Sequence, residues 1–533
     1  MTSPTENPAA SVTRSAGVVA LGTLVSRVLG AARDMVIAAS FSVAATDAFF
    51  VAFTIPNALR GLLAEGAVNS AVIPLYTDVR AKEGVARAKE VHRILSGALL
   101  LVLAIVSMLG VAFAPILVGL YADGYRETPG RFEETVLLVR IVFPYVFFMG
   151  SAALGMAALN ANGRFAVPAL TPALLNVALI AAPFTLVPGV VSMGLPPITS
   201  LALAALIGGA LQVIAQWPAL RGIGHFAMPR LDLRAPVVKH AASLLVPLTV
   251  GLGVYQVNVM LARLFASYLE EGAQSYLYYG QRLVEIPQGM FALALASASL
   301  PRLSSLRAQG DALGLRTTFV TGLRQALFVA LPASALLVAL AEPIVTVLFG
   351  RGAFERQSVI ETSHSLLWQG AGVAFIALVR VLVPVFYAHQ DTRSPVWASV
   401  ANLVAFSGLA YFLRGPFGHV GIAIAISAAG LVQFTVLWGL LEARHPEVLP
   451  VAKDRAPLAL SCVRLLLASA VAGLAGWGVG LLGDWAAGGN DLRNVAVLVA
   501  ASLAAGVSYV AVCGLLRAPE LGEILGALRR RRR

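Results

Sequence analysis

Apolar stretches long enough to cross a bilayer recur along almost the whole chain, and no other feature restricts its fold as much. Residues 94–120 and 320–348 are two examples; each exceeds the roughly 20 residues that span a ~30 Å hydrocarbon core. In lipid, every backbone N–H and C=O must be paired within the protein, so segments of this kind fold as a helical bundle. Composition agrees: the chain is 58% hydrophobic and 12% charged, where a soluble protein carries about 25% charged residues. The formal net charge is +12. That excess lies mainly in the loops, so a basic face for nucleic acid is not expected.

Hydropathy predicts about fourteen transmembrane helices, near residues 15–40, 47–76, 92–120, 134–159, 166–188, 197–219, 238–268, 273–300, 317–348, 358–387, 395–413, 419–441, 459–482 and 493–517. The boundaries near 40–47 and 268–273 rest on short turns alone. The first apolar run continues through Arg27 into residues 30–34 without a cleavage region, so it reads as a retained span rather than a leader. Loop charge tests the topology. Loops after even-numbered spans hold Arg80, Lys82, Arg87, Lys89, Arg93, Arg164, Arg221, Arg230, Arg234, Lys239, Arg302, Arg307, Arg316, Arg393, Arg444, Lys453 and Arg455. The odd-numbered loops hold only Arg126, Arg131, Arg351, Arg356, Arg414 and Arg493. By the positive-inside rule the even loops are cytoplasmic, and Arg14 and the 529–533 arginine run place both termini there too.

The fold class is therefore all-α integral membrane. The expected divisions are a cytoplasmic tail without regular structure (1–14), a first lobe of six spans (15–220), a basic linker (221–237), a second six-span lobe (238–441), a cytoplasmic linker (442–458), two final spans (459–517) and a basic tail (518–533). Weak internal similarity supports a duplication. Aromatics at Phe49-Phe50 and at Tyr276, Tyr278 and Tyr279 open the second span of each half, followed by Ile55-Pro56 and Ile286-Pro287. Repeated halves with a site between them are a common transporter plan.

Against this background, Arg27, Arg33, Arg60 and Arg282 lie within or at the edges of apolar runs. Insertion scales charge roughly 2.5–3.5 kcal/mol for each cation at the bilayer centre, so these groups should face protein, water or an anionic substrate. At 100° per residue Arg27, Gly30 and Asp34 share a stripe, with Arg33 about 120° away. Gly30 would open a gap beside Arg27. A structural alternative pairs Arg27 with Asp34 and lets Arg33 snorkel to the interface. Thr46 or Asp47 is a natural N-cap for the second span. Asn57 and Arg60 share a face, whereas Glu65 lies about 140° from Arg60 and would meet a cation elsewhere or guard a gate. Arg282 and Glu285 form an i, i+3 pair, and Gln256, Asn258 and Arg263 give the preceding span a polar side.

Arginine binds carboxylate or phosphate oxygens bidentately and keeps its charge at any depth, so a diphosphate fits better than a simple inorganic anion. No catalytic or cofactor signature stands out. Cys462 and Cys513 cannot form a CxxC site, the seven histidines (92, 225, 240, 364, 389, 419, 445) show no ligand spacing, and no Walker A or dinucleotide loop is present. Neither a cofactor nor a metal is expected.

At these same residues the chain resembles the MurJ (MviN) family of lipid II flippases in peptidoglycan synthesis, within the MATE-like exporter superfamily. The resemblance rests on Ser26-Arg27-Val28-Leu29-Gly30-x-x-Arg33-Asp34, Ala45-Thr46-Asp47-Ala48-Phe49-Phe50-Val51-Ala52-Phe53, Pro56-Asn57-x-Leu59-Arg60 and Ala64-Glu65-Gly66-Ala67. Later segments are Leu159-Asn160-x-x-x-Arg164-Phe165, Tyr278-Tyr279-x-x-Arg282-Leu283-x-Glu285 and Phe386-Tyr387-x-x-x-Asp391-Thr392-x-x-Pro395. It implies two six-helix lobes around a central cationic cavity, with the last two helices forming a lipid-tail groove; Gly473, Gly476, Gly478 and Gly480 lie in these spans, where small residues would equally serve close helix approach.

The implied activity is alternating-access transfer of undecaprenyl-diphosphate-linked disaccharide-pentapeptide (lipid II) to the outer leaflet of the bacterial cytoplasmic membrane. Arg27, Arg33, Arg60, Arg282 and Asn57 would bind the substrate, while Asp34, Asp47, Glu65 and Glu285 would orient charges or gate. Expected partners are lipid II, membrane lipids and peptidoglycan-synthesis or division proteins, with the chain acting as a monomer. Another polyprenyl-diphosphate-linked oligosaccharide, or a MATE-type export substrate, is the alternative. Two departures stand out. Gln281 occupies a position where relatives often have Asp, and residues 394–441 contain no acidic group, which argues against a carboxylate sodium site in spans 11–12.

Overall fold

The computed structural model describes residues 8–60, 73–224, 229–295, 300–523 and 526. Among them the regular structure is entirely helical, and the chain divides into two compact units, Met1–Gln256 and Val257–Arg533. The first unit contains α1 (Pro8–Ser40), α2 (Val43–Leu59), α3 (Ile73–Ala112), α4 (Ala114–Ala122), α5 (Arg131–Val142), α6 (Tyr145–Ala161), α7 (Ala166–Leu170), α8 (Ala173–Thr185), α9 (Val187–Ser192) and α10 (Thr199–Gly222). Helix α11 (Pro236–Ser267) runs across the division. The second unit adds α12 (Ala273–Leu295), α13 (Leu300–Ala308), α14 (Ala312–Ala339), α15 (Ala341–Phe349), α16 (Arg356–Ala371), α17 (Val373–Ala388), α18 (Arg393–Arg444), α19 (Ala452–Gly480) and α20 (Leu492–Leu515).

Nine helical stretches among the described residues are long and apolar enough to cross a membrane, which makes this an integral membrane protein. The helix positions follow the hydropathy spans closely, including the short breaks after Ser40 and after Ser267. Helix α1 already begins at Pro8, inside the segment expected to lack regular structure. Several spans are two helices in series. Pro144 separates α5 from α6, and the α14–α15 and α16–α17 pairs break at Leu340 and Gly372.

Helix α18 is the converse case, because its 52 residues would extend ~78 Å if straight, more than twice the bilayer core. The break is at Gly418, with φ 55° and ψ −136°. There the chain reverses: a Cβ on Gly421 would sit 2.3 Å from the Leu413 carbonyl oxygen, and Gln433 Nε2 donates to Ser399 Oγ across 3.5 Å. The element is an antiparallel hairpin carrying predicted spans 11 and 12. Because Gly418 occupies a region that side chains rarely adopt, Gly418→Ala should destabilise the protein by about 1–3 kcal/mol. The unfolding midpoint of the detergent-solubilised chain measures this, and an unchanged midpoint would show that the turn tolerates a Cβ.

The open end of the hairpin is fastened by Asp391, whose carboxylate accepts from the Arg393 and Ser394 backbone N–H groups, from the Ser394 hydroxyl at 2.6 Å and from Arg444 at 3.2 Å. Burial alone would raise this carboxyl. The Ser394 hydrogen bonds and the Arg444 guanidinium outweigh it and bring the pKa down to about 2.

Elsewhere small residues set the helix spacing, as expected where lipid supplies no hydrophobic drive between helices. A Cβ on Gly110 would overlap the Phe143 ring, and one on Gly150 would overlap Leu103, so α3 lies close against α5 and α6. In the second unit α19 packs on α14 and α20. Gly473 faces Ala335, Gly476 faces Ala505 and Gly480 faces Leu340, each within 3.3–3.5 Å of a notional Cβ. Only Gly478 of this set meets open space. The glycines therefore serve close helix approach first. A cavity of about 320 Å³ nevertheless opens alongside, bounded by Val338, Pro343, Leu367, Trp477, Leu481 and Trp485 and also by Glu342, Ser363 and His364.

Candidate functional site

Among the described residues of the first unit, the buried Asp and Arg side chains, Arg33, Asp34, Asp47 and Arg131, lie on α1, α2 and α5. Ser42 is the N-cap of α2, accepting from the Ala45 N–H at 3.3 Å. Neither Thr46 nor Asp47 caps the helix, contrary to the sequence expectation; both lie one turn inside it and are buried. The difference comes from the Phe41–Ser42 break, which ends α1 and starts α2 earlier than hydropathy indicates. Asp47, 1% exposed, instead accepts a 2.8 Å bond from Arg131 Nη2 at the start of α5. Arg131 also stacks on Tyr125, with its guanidinium carbon 4.5 Å from the ring centre. Arg131 had been counted as an odd-loop charge, but it is a buried partner of Asp47. The Tyr125–Arg131 stretch, one aromatic and two arginines ahead of the next span, was the available signal.

On α1 the wheel geometry is corrected. Arg33 does not snorkel and Asp34 does not pair with Arg27. Arg33 is 6% exposed and donates from Nε and Nη2 to Asp34 Oδ1 at 2.9 and 2.6 Å. A wheel gives Cβ directions only, whereas a four-bond side chain can fold over its neighbour. Asn176 of α8 completes this arrangement. Its Oδ1 accepts from Arg33 Nη1 at 3.2 Å, and its Nδ2 donates to the Ser26 carbonyl at 3.1 Å. The gap expected at Gly30 faces the same amide, 3.9 Å from a notional Cβ, so it accommodates α8 rather than an open approach.

Arg27 differs from its neighbours. It is exposed and forms no ion pair among the described residues. At the end of α2, Arg60 Nε donates to Asn57 Oδ1 at 2.8 Å, as their three-residue spacing predicted, and both are partly buried. Helix α2 continues through Pro56 to Leu59. Glu65, the expected gate, lies outside the described residues.

In the second unit Arg282 and Glu285 of α12 pair at 2.6 Å with both side chains over a third exposed, as the i, i+3 spacing implies. Glu285 thus supplies Arg282 with a carboxylate even though Gln281 stands where relatives often carry Asp. Arg282 also lies 5.8 Å from the Tyr278 ring centre. On the neighbouring helices Arg380 donates to Gln288 Oε1 at 2.7 Å, Arg263 to Gln274 Oε1 at 3.1 Å, and Asn258 to Asn402 at 2.9 Å. Arg380 was not singled out from sequence, although a lone cation in the apolar run 373–388 carries the same signal as Arg27.

The result is guanidinium groups in two chemical situations. Arg33 and Arg131 are neutralised by buried carboxylates, whereas Arg27 presents its charge outward, and Arg60 and Arg282 are only partly covered. Exposed guanidinium N–H groups in a low-dielectric setting are the donors that an oxyanion such as a phosphate requires.

The family model described as "Lipid II flippase MurJ" matches residues 37–488. A Burkholderia cenocepacia protein named "Lipid II flippase MurJ" is 34% identical over 421 residues, covering 78% of this chain and 81% of its own. A Vibrio cholerae serotype O1 protein named "Probable lipid II flippase MurJ" is 35% identical over 437 residues, covering 80% and 82%. Among solved structures, "Lipid II flippase MurJ, inward closed conformation" shares the fold with a TM-score of 0.75 at 22% identity, covering 93% of this chain and 99% of that one. An inward-facing multidrug-resistance MATE family transporter of the MOP superfamily follows at 0.63 and 16% identity, covering 78% and 95%. The chain is a member of the MurJ lipid II flippase family.

Proposed function

We propose that this protein is a lipid II flippase, moving the undecaprenyl-diphosphate-linked precursor from the inner to the outer leaflet by alternating access. The observation that carries the reading is Arg27, an exposed cation with no ion-pair partner among the described residues, on a helix whose buried cation, Arg33, is already neutralised. Leaving a guanidinium uncompensated within an apolar segment costs free energy that an arriving diphosphate would return. Arg27 contacts the diphosphate directly, with Arg60 held by Asn57 as a second donor in the first unit. Arg33 and Asp34 position α1, and the Asp47–Arg131 pair positions α2 against α5. In the second unit Arg282, oriented by Glu285, is the corresponding cation. The apolar wall of the cavity, at Trp477 and Leu481 rather than at Glu342 and His364, would take part of the prenyl tail. One chain is the working unit, and the basic loops and both termini face the cytoplasm.

Depletion in the native host tests the reading. Labelled lipid II detected from outside should fall as the protein is lost, while the inner-leaflet pool accumulates. An unchanged outer-leaflet signal in depleted cells would overturn it.

A further inference from the structure

Three chemistry-bearing residues at the open end of the α18 hairpin play no part in the proposed transport site. His389 follows α17 directly, His445 follows α18, and Glu447 lies in the 3-10 turn Pro446–Val448. Sequence spacing gave no hint of a set, because His389 and the other two are separated by the whole of α18. The hairpin brings them together. One ligand atom from each lies within 4.8 Å of the other two. His389 Nε2 is 3.2 Å and His445 Nδ1 3.7 Å from Glu447 Oε1, and the two imidazole centres are 4.2 Å apart. Ligand atoms bound to one tetrahedral zinc are about 3.3 Å apart, so small side-chain adjustments bring the set to coordination distance.

The surroundings also favour a cation. The His389 side chain is fully buried. Its Nδ1 lies 2.8 Å from the Val385 carbonyl, which can only accept, so in the neutral ring the proton sits on Nδ1 and the Nε2 lone pair points toward Glu447. That Nε2 makes no well-aligned hydrogen bond among the described residues; its near polar neighbour is the Glu447 carboxylate at 3.2 Å, a contact that a shared cation would satisfy as well as a proton on the ring. Asp391 Oδ2 lies 3.8 Å from His445 Nε2, on the far side of the ring from the ligand atom Nδ1. At that distance no hydrogen bond is made, and Asp391 would orient the ring as a metal ligand after a small approach. Glu447, 42% exposed, gives access from solvent. Two arginines are nearby. Arg307 is 4.0 Å from the same Glu447 oxygen but 45% exposed, so it can swing into solvent, while Arg444 is engaged by Asp391.

We propose that His389 Nε2, His445 Nδ1 and Glu447 form a binding site for a first-row divalent transition-metal ion, zinc foremost, with water as fourth ligand. Two imidazoles and one carboxylate select such ions over magnesium or calcium, which prefer all-oxygen sites. The bound ion ties the α17–α18 turn to the segment leaving α18 and fastens the base of the hairpin.

The test uses the full-length, chelator-treated protein in detergent. Titration with Zn²⁺ followed by calorimetry should show one saturable site that Mg²⁺ does not fill. Co²⁺ bound to the unaltered chain should give the intense visible bands of tetrahedral coordination, a readout that needs no variant to fold. Asp391→Asn should weaken binding about tenfold, and His389→Ala or Glu447→Gln should weaken it by more than the roughly 100-fold that loss of an outer-shell partner can reach. His240→Ala, at an exposed position elsewhere, should change nothing. Absence of a saturable site, a weak octahedral Co²⁺ spectrum, or affinity unchanged in His389→Ala and Glu447→Gln would each overturn the proposal.

Discussion

Arg27→Ala is expected to abolish lipid II translocation while leaving the protein folded and inserted. Two charge-assisted hydrogen bonds to a diphosphate contribute about 1.5–3 kcal/mol each, so their loss weakens the interaction by roughly two to four orders of magnitude. Stability should hardly change, because Arg27 is exposed and forms no ion pair among the described residues. Arg27→Lys should recover only part of the function, since an ammonium keeps the charge but loses the planar fork. Complementation of a flippase-depleted strain measures the first effect, and thermal unfolding of the purified variant measures the second. Full complementation by Arg27→Ala would remove this residue from the substrate path.

The largest effect on stability is expected at Asp47 rather than at any exposed arginine. Its carboxylate and the Arg131 guanidinium are 1% and 9% exposed and 2.8 Å apart. Asp47→Ala strands a buried cation, at a cost of about 3–5 kcal/mol. Removing both charges, as in Asp47→Ala with Arg131→Leu, should recover much of that loss, because an apolar replacement of a buried pair is often nearly neutral. A double-mutant cycle on unfolding midpoints reads the coupling directly. Strictly additive losses would mean that the two groups do not depend on each other. Arg33 and Asp34 form a comparable buried pair, so loss of function in a variant of either must be separated from loss of fold.

The helices themselves were legible in the sequence because hydropathy and Pro or Gly breaks act locally. The turns after Ser40 and Ser267 and the hairpin at Gly418 fall where residue pattern placed them. Local pairs were equally readable: Asn57–Arg60 and Arg282–Glu285 are set by helical spacing alone. What sequence could not give was the long-range choice of partner. Nothing in residues 26–34 indicates that Asn176 would lie against α1 or that Arg33 would fold back on Asp34. Arg131 appeared to be a loop cation because hydropathy set the start of its span at 134, and the meeting of His389 with His445 requires the hairpin to close first.

The Asn176 contact has a mechanical consequence. Its amide grips α1 at two points, the Ser26 carbonyl and the Arg33 guanidinium, on either side of Gly30. Sliding α1 by one helical turn, about 5.4 Å, would break both bonds at once. The two bonds thus favour movement of the first span and α8 as one body over sliding of one along the other.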